Sequence, residues 1–531
     1  MNRPDPARSD LVPRVTAGAG LVSACAVLVA HARHFDFLND DAFISFRYAE
    51  NLVRHGALTY NPGERVEGYT NFLWTVIMAA VLRLGADPVP WSKTIGIGFS
   101  VATLLGLFVF STWWARTQTG RARSSAWAAV APLLLALASP FAAWSEGGLE
   151  TALFTFLVTT AALRHVVELA DERRGPWSAV ACALAAMTRP EGLLLFALLA
   201  AHRLAHHLLR TRGDRSVLAL VRWAGLFAAL FSPYWAWRWT YYGYALPNTY
   251  YAKSGPLLWG LGGRYVWSFF SESQAWVVLP LLAVPWREAP HGATLRSLVG
   301  LIVAAWTVYV AAVGGDFMGL YRFLVPVMPL LALGLQEGLA SLWRRAVDGW
   351  EGRTGRPAAP RGSAVAVAAV VALLAASAAH NRRLTERALE VGSQDGIDSI
   401  GWLKQFVVQT SAIGRHLAAT CPPDTLIATT AAGAIPFYSR MPTVDLLGLS
   451  DLYIAHEVPG TSARPGHRRA APEAYVLKRH PHLLIWHPWT SAEPLIPSPA
   501  QVQYWRERGY AFRTVRVPGL EPPYWSYVEA E

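Results

Sequence analysis

A chain of 531 residues in which 53 % are hydrophobic, only 16 % are charged and 23 are tryptophan has the composition of a polytopic membrane protein, which excludes an ordinary soluble fold. Its formal net charge of +11 comes mostly from arginines that stand between apolar segments. This distribution indicates membrane orientation rather than nucleic-acid binding. The three cysteines imply no disulfide framework, because two lie in apolar segments and the third stands alone.

Apolar segments long enough to cross a bilayer recur along the first 380 residues. The first segment follows a basic, polar stretch and has no small-residue cleavage site after it, so we expect it to be retained as a span. The segment from 176 to 208 contains a proline and is counted as one broken crossing. About eleven crossings are predicted, at 13–31, 70–85, 94–115, 126–143, 149–166, 176–208, 217–236, 264–285, 295–313, 322–343 and 362–380.

Arginine-rich connections orient these crossings. The stretches 202–215 and 344–361 are the best cytoplasmic markers, and eleven crossings with the N-terminus inside place both there. The same count puts the arginines of several linkers between 116 and 174 outside, against the positive-inside rule. Short or dipping helices between 71 and 175, or a split at Pro190, would resolve this conflict. The loops predicted to face outward are 32–70, 237–263 and 314–322.

Two adjacent carboxylates, Asp40 and Asp41, stand where the first apolar segment meets water. Ionisable groups at such a boundary are expensive and indicate a functional site, whereas capping of the following helix is the alternative. That helix, over 41–55, has an amphipathic pattern with Arg47 and Glu50 on its polar side, and we expect it to lie on the membrane surface. Neighbouring carboxylates disfavour simultaneous ionisation, which raises the effective pKa of one and suits it to accept a proton.

Two polar stretches lie next to or inside apolar segments. In WSEGGLET (144–151), Glu150 either marks a helix start or contacts substrate. In TRPEG (188–192), Arg189 and Glu191 flank a proline within an apolar segment, where charges need partners. They therefore either pair with each other or a neighbour, or meet a lipid phosphate.

Two further stretches follow spans on the predicted outer face. PNTYYAK (247–253) combines Asn248, Tyr251 and Lys253, and a lysine with amide and phenol donors suits a phosphate anion. Anchoring at the membrane interface is the alternative for these aromatic and basic residues. In GGDFMGLYRF (314–323), Asp316 and Arg322 either pair with each other or contact substrate.

The tail from 381 to 531 has a different pattern. Its apolar runs are short and alternate with helical patterns and turn signals, which predicts a small soluble α/β domain. Gly433, Pro436 and Asp445 are expected to shape strand-to-helix turns, with a direct substrate contact as the alternative for Asp445. The sequence has no phosphate-binding P-loop or Rossmann glycine pattern in the right context, so nucleotide binding is not supported.

The string DDAFISFRYAENL…YNPGERVEGYTNFLW, over 40–74, resembles the first external loop of membrane glycosyltransferases of the GT-C fold. It is more similar to the branch of mycobacterial terminal β-arabinofuranosyltransferases and their bacterial relatives. The runs PNTYYAK, TTAAGAIPFYS and TVDLLGLSD extend the resemblance over most of the chain. The resemblance implies an α-helical polytopic membrane protein with a GT-C catalytic domain at 1–380 and an extracytoplasmic α/β domain at 381–531.

The resemblance also implies an activity. An inverting glycosyltransferase would move a sugar, an arabinofuranose-like pentose or a hexose such as mannose, from a polyprenyl-phosphate donor to an extracytoplasmic glycan or cell-envelope acceptor. Asp40 is the first choice of base, with Asp41 orienting the acceptor. The implied contacts with the donor phosphate are Lys253, Asn248, Tyr251, Arg322 and Arg189. The implied contacts with the rest of the substrates are Glu64, Arg65, Glu67, Asp316, Glu150, Glu191 and His467.

Other classes of protein remain open at this stage. A transporter or flippase of lipid-linked saccharides also suits buried charges, although no second copy of the DD loop or of TRPEG gives the internal repeat common in transporters. A non-catalytic saccharide-binding protein is a third class. The sequence requires no cofactor, and a divalent cation between the carboxylates is compatible with it but not demanded by it. We expect the protein in the bacterial cytoplasmic membrane, with the site and tail outside the cytoplasm; the sequence leaves the oligomeric state open.

Overall fold

A computed structural model describes residues 6–119, 127–210, 214–284, 286, 292–355, 360–462 and 464–531. Helices build the larger part of the molecule. They are α1 (Pro6–Phe35), α2 (Asp40–His55), α3 (Phe72–Arg83), α4 (Pro88–Thr119), α5 (Val130–Leu137), α6 (Ser139–Trp144), α7 (Thr151–Ala170), α8 (Trp177–Thr188), α9 (Glu191–Arg210), α10 (Asp214–Tyr242), α11 (Asn248–Lys253), α12 (Trp259–Glu272), α13 (Val278–Ala283), α14 (Gly292–Val313), α15 (Met328–Thr354) and α16 (Pro360–Leu389).

Within the described residues, eight helices are long and apolar enough to cross a membrane, which makes this a multi-pass membrane protein. Besides 176–208, which is predicted to be broken, three of the eleven predicted crossings are not continuous long helices. The segment 70–85 holds only α3, and 126–143 is broken at Ala138, where the backbone is extended between α5 and α6. In 264–285, α12 ends at Glu272, and the left-handed backbone of Gln274 (φ 56°) follows before the next helical turn.

The short helix α3 begins and ends at the same end of the helical bundle. Asn71, just before α3, donates to Glu150 over 2.8 Å, and Lys93, in the second turn of α4, lies 3.6 Å from Glu146. The end of the bundle that holds these residues is called the upper end below. Because both ends of α3 are at the upper end, the crossing predicted at 70–85 is wrong.

The segment 176–208, counted as one broken crossing, is two helices. The helices α8 and α9 are separated at Arg189 and Pro190, and this turn meets Glu150, at the start of α7, at the upper end. With 20 residues, α7 is about 30 Å long, so its far end lies at the opposite, lower end of the bundle. The arginines of 164–174 are therefore at the lower end, which removes their conflict with the positive-inside rule.

The α/β character predicted for the tail is confirmed, although α16 continues through the predicted boundary at 381 to Leu389. The tail contains α17 (Ile400–Thr420), α18 (Ala434–Ser439), α19 (Leu452–Glu457), α20 (Glu473–Lys478) and α21 (Pro499–Arg506), with strands β1 (Ser393–Gln394), β2 (Ile397–Asp398), β3 (Ile427–Thr429), β4 (Thr443–Asp445), β5 (Leu483–Ile485), β6 (Tyr510–Arg516) and β7 (Tyr524–Ala530). The main sheet has the order β4-β3-β5-β7-β6. Strand β3 is parallel to β4 and β5, with Ala428 opposite Val444 and Leu484, while β7 is antiparallel to β5 and β6.

The tail packs directly on the bundle. The largest cluster of buried apolar residues runs from the membrane helices into α17 and α18 and includes Leu403 and Ala434. This contact covers α2, which is not the membrane-surface helix that its amphipathic pattern predicts. The side chain of Arg47 is buried, and it donates to the carbonyls of Tyr60 (2.7 Å) and Met441 (2.8 Å). Carbonyl groups of the protein thus replace water around Arg47.

Candidate functional site

A cavity of about 480 Å³ lies at the upper end of the bundle, where the helices meet the tail. Its walls come from α2, α11, the turn between α8 and α9, the loop before α15 and the tail segment 465–468. Half of the residues that the sequence singles out come together here, although they are far apart in the chain. The predicted site residues that line this cavity are Asp41, Glu150, Arg189, Glu191, Lys253, Asp316 and Arg322.

The two adjacent carboxylates do not share this cavity. Asn39 caps α2 by accepting the backbone N–H of Asp41 over 2.8 Å, so Asp40 and Asp41 are the first two residues of the helix. Successive residues on a helix point about 100° apart, which sends the two side chains in different directions. Asp41 lines the cavity, and its carboxylate has no hydrogen bond or ion pair with any residue that the structure describes.

Asp40 instead fastens α2 to the tail. Its carboxylate accepts the backbone N–H groups of Gly433 (3.1 Å) and Ala434 (2.9 Å) and the hydroxyl of Thr410 (3.2 Å). A Cβ atom at position 433 would lie 2.5 Å from its Oδ2, so the close approach requires glycine there. Burial raises the pKa of Asp40 to about 6, the charge of Asp41 adds to this rise, and the N–H donors oppose it.

The raised pKa of Asp40 predicts a pH dependence of stability. Since the pKa is about 6 in the folded protein and 3.8 ordinarily, the folded state binds this proton more tightly. The stabilisation is present at low pH and is lost as the pH rises through about 6. We therefore expect the stability of the parent relative to Asp40→Asn to increase by about 1 kcal/mol as the pH falls from about 7 to about 5. Thermal unfolding of both proteins across that range measures it.

Asp36→Asn is the matched control for this titration. The hydrogen bond from Lys93 lowers the pKa of Asp36, so its contribution to stability is lost only at lower pH. The difference between the parent and Asp36→Asn should stay constant between about pH 5 and 7. A constant difference for Asp40→Asn as well would contradict the assignment of a raised pKa to Asp40.

Two arginines neutralise three acids of the cavity. Arg189 bridges Glu150 (2.6 Å) and Glu191 (2.9 Å), and Arg322 pairs with Asp316 (2.7 Å). The ion pairs foreseen as one alternative for these residues are therefore present, and they lie in the cavity wall. All five side chains are mostly buried, so the pairs fix the turn between α8 and α9 and the loop before α15 in place.

Two cations of the cavity have no acidic partner among the described residues. Lys253 is exposed and shares one face of the short helix α11 with Thr249 and Tyr250, which also line the cavity. Arg468, from the tail, is only 5 % exposed; it donates to the carbonyl of Pro256 over 2.8 Å, and its buried Nε has no partner. Burying a guanidinium without a counter-ion is costly, which prepares this position for an anion.

Arg468 is not among the predicted site residues. The signal available was the basic run GHRR at 466–469, but the cavity that receives one of its two arginines is formed only when the tail packs on α11. A Cβ atom at Gly255 would lie 2.4 Å from Nη2 of Arg468. The glycine therefore leaves room for the guanidinium.

Two residues of the predicted phosphate motif point away from the cavity. The side-chain amide of Asn248 donates to the carbonyls of Gly448 (3.0 Å) and Leu449 (2.9 Å). The ring of Tyr251 packs against that of His456 at an interplanar angle of 31°, with 4.2 Å between centroids. Both residues therefore attach α11 to the tail. Lys253 lies on the opposite face of this helix, so the structure does not bring Asn248 and Tyr251 to the predicted phosphate site.

Three residues of the first external loop also lie outside the cavity lining. Glu67 forms a buried ion pair with Arg238, and Arg65 lies over the ring of Tyr241 at 4.7 Å. Glu64 accepts from Asn61 and lies 3.4 Å from Arg479 of the tail. Their partners are protein groups on neighbouring elements. The structure thus gives these residues a role in fixing the loop rather than in lining the cavity.

His467 lies behind the cavity wall. Its ring packs against Phe317, which lines the cavity, with 4.5 Å between centroids. Burial lowers the pKa of His467, the positive charges of Arg464 and Lys253 lower it further, and the charge of Asp41 opposes them. Among the residues that the structure describes, no three His, Cys, Asp or Glu side chains are grouped so that they could hold a metal ion.

The membrane bundle, the buried helix after the first span and the α/β tail define the GT-C fold. The crystal structure of ArnT from Cupriavidus metallidurans bound to undecaprenyl phosphate superimposes with a TM-score of 0.56 at 14 % identity, covering 96 % of this chain and 97 % of that one. The archaeal oligosaccharyltransferase AglB from Archaeoglobus fulgidus, in complex with an inhibitory peptide and a dolichol-phosphate, gives a TM-score of 0.52 at 10 % identity, covering 81 % and 64 %. The GT-C fold that the motifs imply is confirmed.

A curated relative agrees with the branch that the motifs resemble. The terminal β-(1→2)-arabinofuranosyltransferase of Corynebacterium glutamicum is 26 % identical over 331 residues, which is 56 % of this chain and 47 % of the relative. The chain therefore spans about half the length of this relative. Residues 402–527 match a family described as a domain of unknown function, DUF8728, which covers most of the tail.

Proposed function

We propose that this protein is an inverting glycosyltransferase that moves a sugar from a polyprenyl-phosphate donor to an extracytoplasmic glycan or cell-envelope acceptor. The observation that carries the proposal is the charge arrangement of the cavity. Asp41, whose carboxylate has no partner among the described residues, shares this space with Lys253 and Arg468, two cations that have no acidic partner among them. An acid that can accept a proton and cations that can receive a phosphate are the two requirements of the reaction.

The reaction is a single displacement. Asp41 accepts the proton of the acceptor hydroxyl, and the hydroxyl oxygen forms a bond with the anomeric carbon of the sugar. The bond between that carbon and the phosphate oxygen breaks, and polyprenyl phosphate leaves with the electron pair. Lys253 and Arg468 stabilise the charge that develops on the phosphate. Attack on the face opposite the leaving group inverts the anomeric configuration.

We assign the base to Asp41 in place of Asp40, which was the first choice from the sequence. The carboxylate of Asp40 is occupied by three donors from the tail, whereas that of Asp41 faces the cavity. A general base must come within hydrogen-bond reach of the proton that it takes. Asp40 then acts indirectly, by holding α2 against the tail.

The identity of the lipid carrier and the identity of the sugar are supported by different comparisons. Undecaprenyl phosphate bound to ArnT and dolichol-phosphate bound to AglB support a polyprenyl-phosphate carrier for a chain of the same fold. The name of the curated relative supports arabinofuranose as the sugar and a glycan as the acceptor. The arginines at the lower end of the bundle support a cavity that faces outside the cytoplasm.

A transfer assay with the purified chain in lipid nanodiscs tests this function. Polyprenyl-phosphate arabinofuranose and polyprenyl-phosphate mannose are offered as donors, each with and without an arabinan oligosaccharide. We expect polyprenyl phosphate to be released from the arabinofuranose donor when the oligosaccharide is present, and the oligosaccharide to gain one residue. Movement of intact donor across a vesicle membrane without its cleavage would refute the transferase and support a transporter.

A further inference from the structure

A second groove lies on the bundle, far from the site cavity. It runs between α7 and α8, has a volume of about 600 Å³, and is walled by apolar side chains that include Phe156, Val180 and Leu184. Arg164 and Arg174 line the same groove. Since α7 starts at the upper end and is about 30 Å long, this arginine-bearing part lies toward the lower end of the bundle.

The arginines at this groove are not fully satisfied by protein groups. Arg164 donates from Nη2 to the carbonyl of Arg174 over 2.9 Å, but its buried Nε has no hydrogen-bond partner in the part of the chain that the structure describes. Its acidic neighbour there, Glu168, is 3.9 Å away and already accepts from Ser178 and from Arg203, the latter over 2.8 Å. The charge of Glu168 is therefore shared with a closer arginine, which leaves Arg164 able to bind another anion.

The surroundings identify the chemistry of that anion. Arg174 is 47 % exposed and lies 3.5 Å from Asp171, so its contact with that acid is loose and solvated. Trp177, which also lines the groove, is 61 % exposed, as expected of an aromatic residue at a membrane interface. An apolar groove that ends at two guanidinium groups and an interfacial tryptophan matches a hydrocarbon chain joined to a phosphate.

We propose that this groove binds an anionic phospholipid, with an acyl chain between α7 and α8 and the phosphate on Arg164 and Arg174. The attraction of basic side chains for anionic lipid supports the headgroup contact, and apolar burial supports the chain. The upper ends of the same two helices meet at the ion pair between Glu150 and Arg189 in the cavity wall. The lipid thus braces the helices that carry this pair, and the proposal holds whether or not the cavity transfers sugar.

Native mass spectrometry of the full chain from nanodiscs of equal phosphatidylglycerol and phosphatidylcholine tests the proposal. We expect phosphatidylglycerol to be retained about 10- to 30-fold more than phosphatidylcholine, since each of two arginines near the surface adds to the attraction. Arg164→Gln with Arg174→Gln should abolish the preference. Val180→Trp, which fills the groove, should reduce retention of both lipids.

Arg173→Gln is the matched control, because Arg173 is exposed, adjacent in the chain and absent from the groove lining. It should keep the preference. Should the double variant fail to fold, Arg174→Gln alone, at an exposed side chain, should lower the preference several-fold. Equal retention of the two lipids by the parent, or an equal loss in Arg173→Gln and the double variant, would overturn the proposal.

Discussion

Replacement of Asp41 by asparagine is expected to lower the rate of sugar transfer by about 10²- to 10⁴-fold, the contribution typical of a general base. The amide keeps the size of the side chain but cannot accept the hydroxyl proton. Because no described residue makes a hydrogen bond or ion pair with this carboxylate, its loss should not disturb the fold. Turnover in nanodiscs with the polyprenyl-phosphate arabinofuranose donor, together with the unfolding temperature, measures both effects.

Asp40→Asn provides the comparison at the neighbouring position. Its amide oxygen still accepts from the backbone of the tail, so we expect the rate to stay within about tenfold of the parent, which corresponds to the loss of one ordinary hydrogen bond. The main effect should fall on stability and its pH dependence. The reverse pattern, with Asp40→Asn inactive and Asp41→Asn active, would return the base to Asp40 and refute the assignment made from the cavity.

The sequence identified the acidic pair, but it could not show which carboxylate enters the cavity. Both belong to one helix start, and the direction of each depends on where the tail lies. The tail groups that hold Asp40, among them Gly433 and Thr410, are more than 350 residues away in the chain, as the separations of 393 and 370 show. No local pattern records such a contact. The distinction is therefore a product of tertiary packing.

The motif PNTYYAK shows a pattern that the sequence could have revealed. Thr249, Tyr250 and Lys253 are spaced as one face of a helix, and that face lines the cavity. Asn248 and Tyr251 belong to the other side and bind the tail. If the motif is treated as a loop, all of its hydrogen-bond donors are expected at the same site. Once it is recognised as the helix α11, the donors fall on two faces, and only one face lines the cavity.

Hydropathy predicts the membrane crossings correctly only where an apolar segment forms one continuous helix. Hydropathy alone does not distinguish α3, which returns to the upper end, from a crossing, because both are apolar. Conversely, the break at Pro190 was visible, but its consequence for the direction of the chain required the contact between Arg189 and Glu150. Under the predicted crossings, the arginines at 164–174 violate the positive-inside rule, and this conflict indicates correctly that one predicted crossing is wrong.

Replacement of Arg468 by glutamine is expected to lower kcat/KM by about 10- to 100-fold, the value of one or two charge-assisted hydrogen bonds to phosphate. The unfolding temperature without donor should stay the same or rise, because the variant removes a buried charge that has no acidic partner among the residues described. Arg468→Lys, which keeps the charge, should recover part of the activity.

The two measurements together separate a phosphate contact from a purely structural arginine. A structural arginine would lose stability in both variants, and the activity would fall only as far as the folded fraction does. Binding of undecaprenyl phosphate gives a third measurement that needs no acceptor, and Arg468→Gln should weaken it by a similar factor. If binding is unchanged while the unfolding temperature drops, Arg468 supports the contact between α11 and the tail, and Lys253 carries the donor phosphate without it.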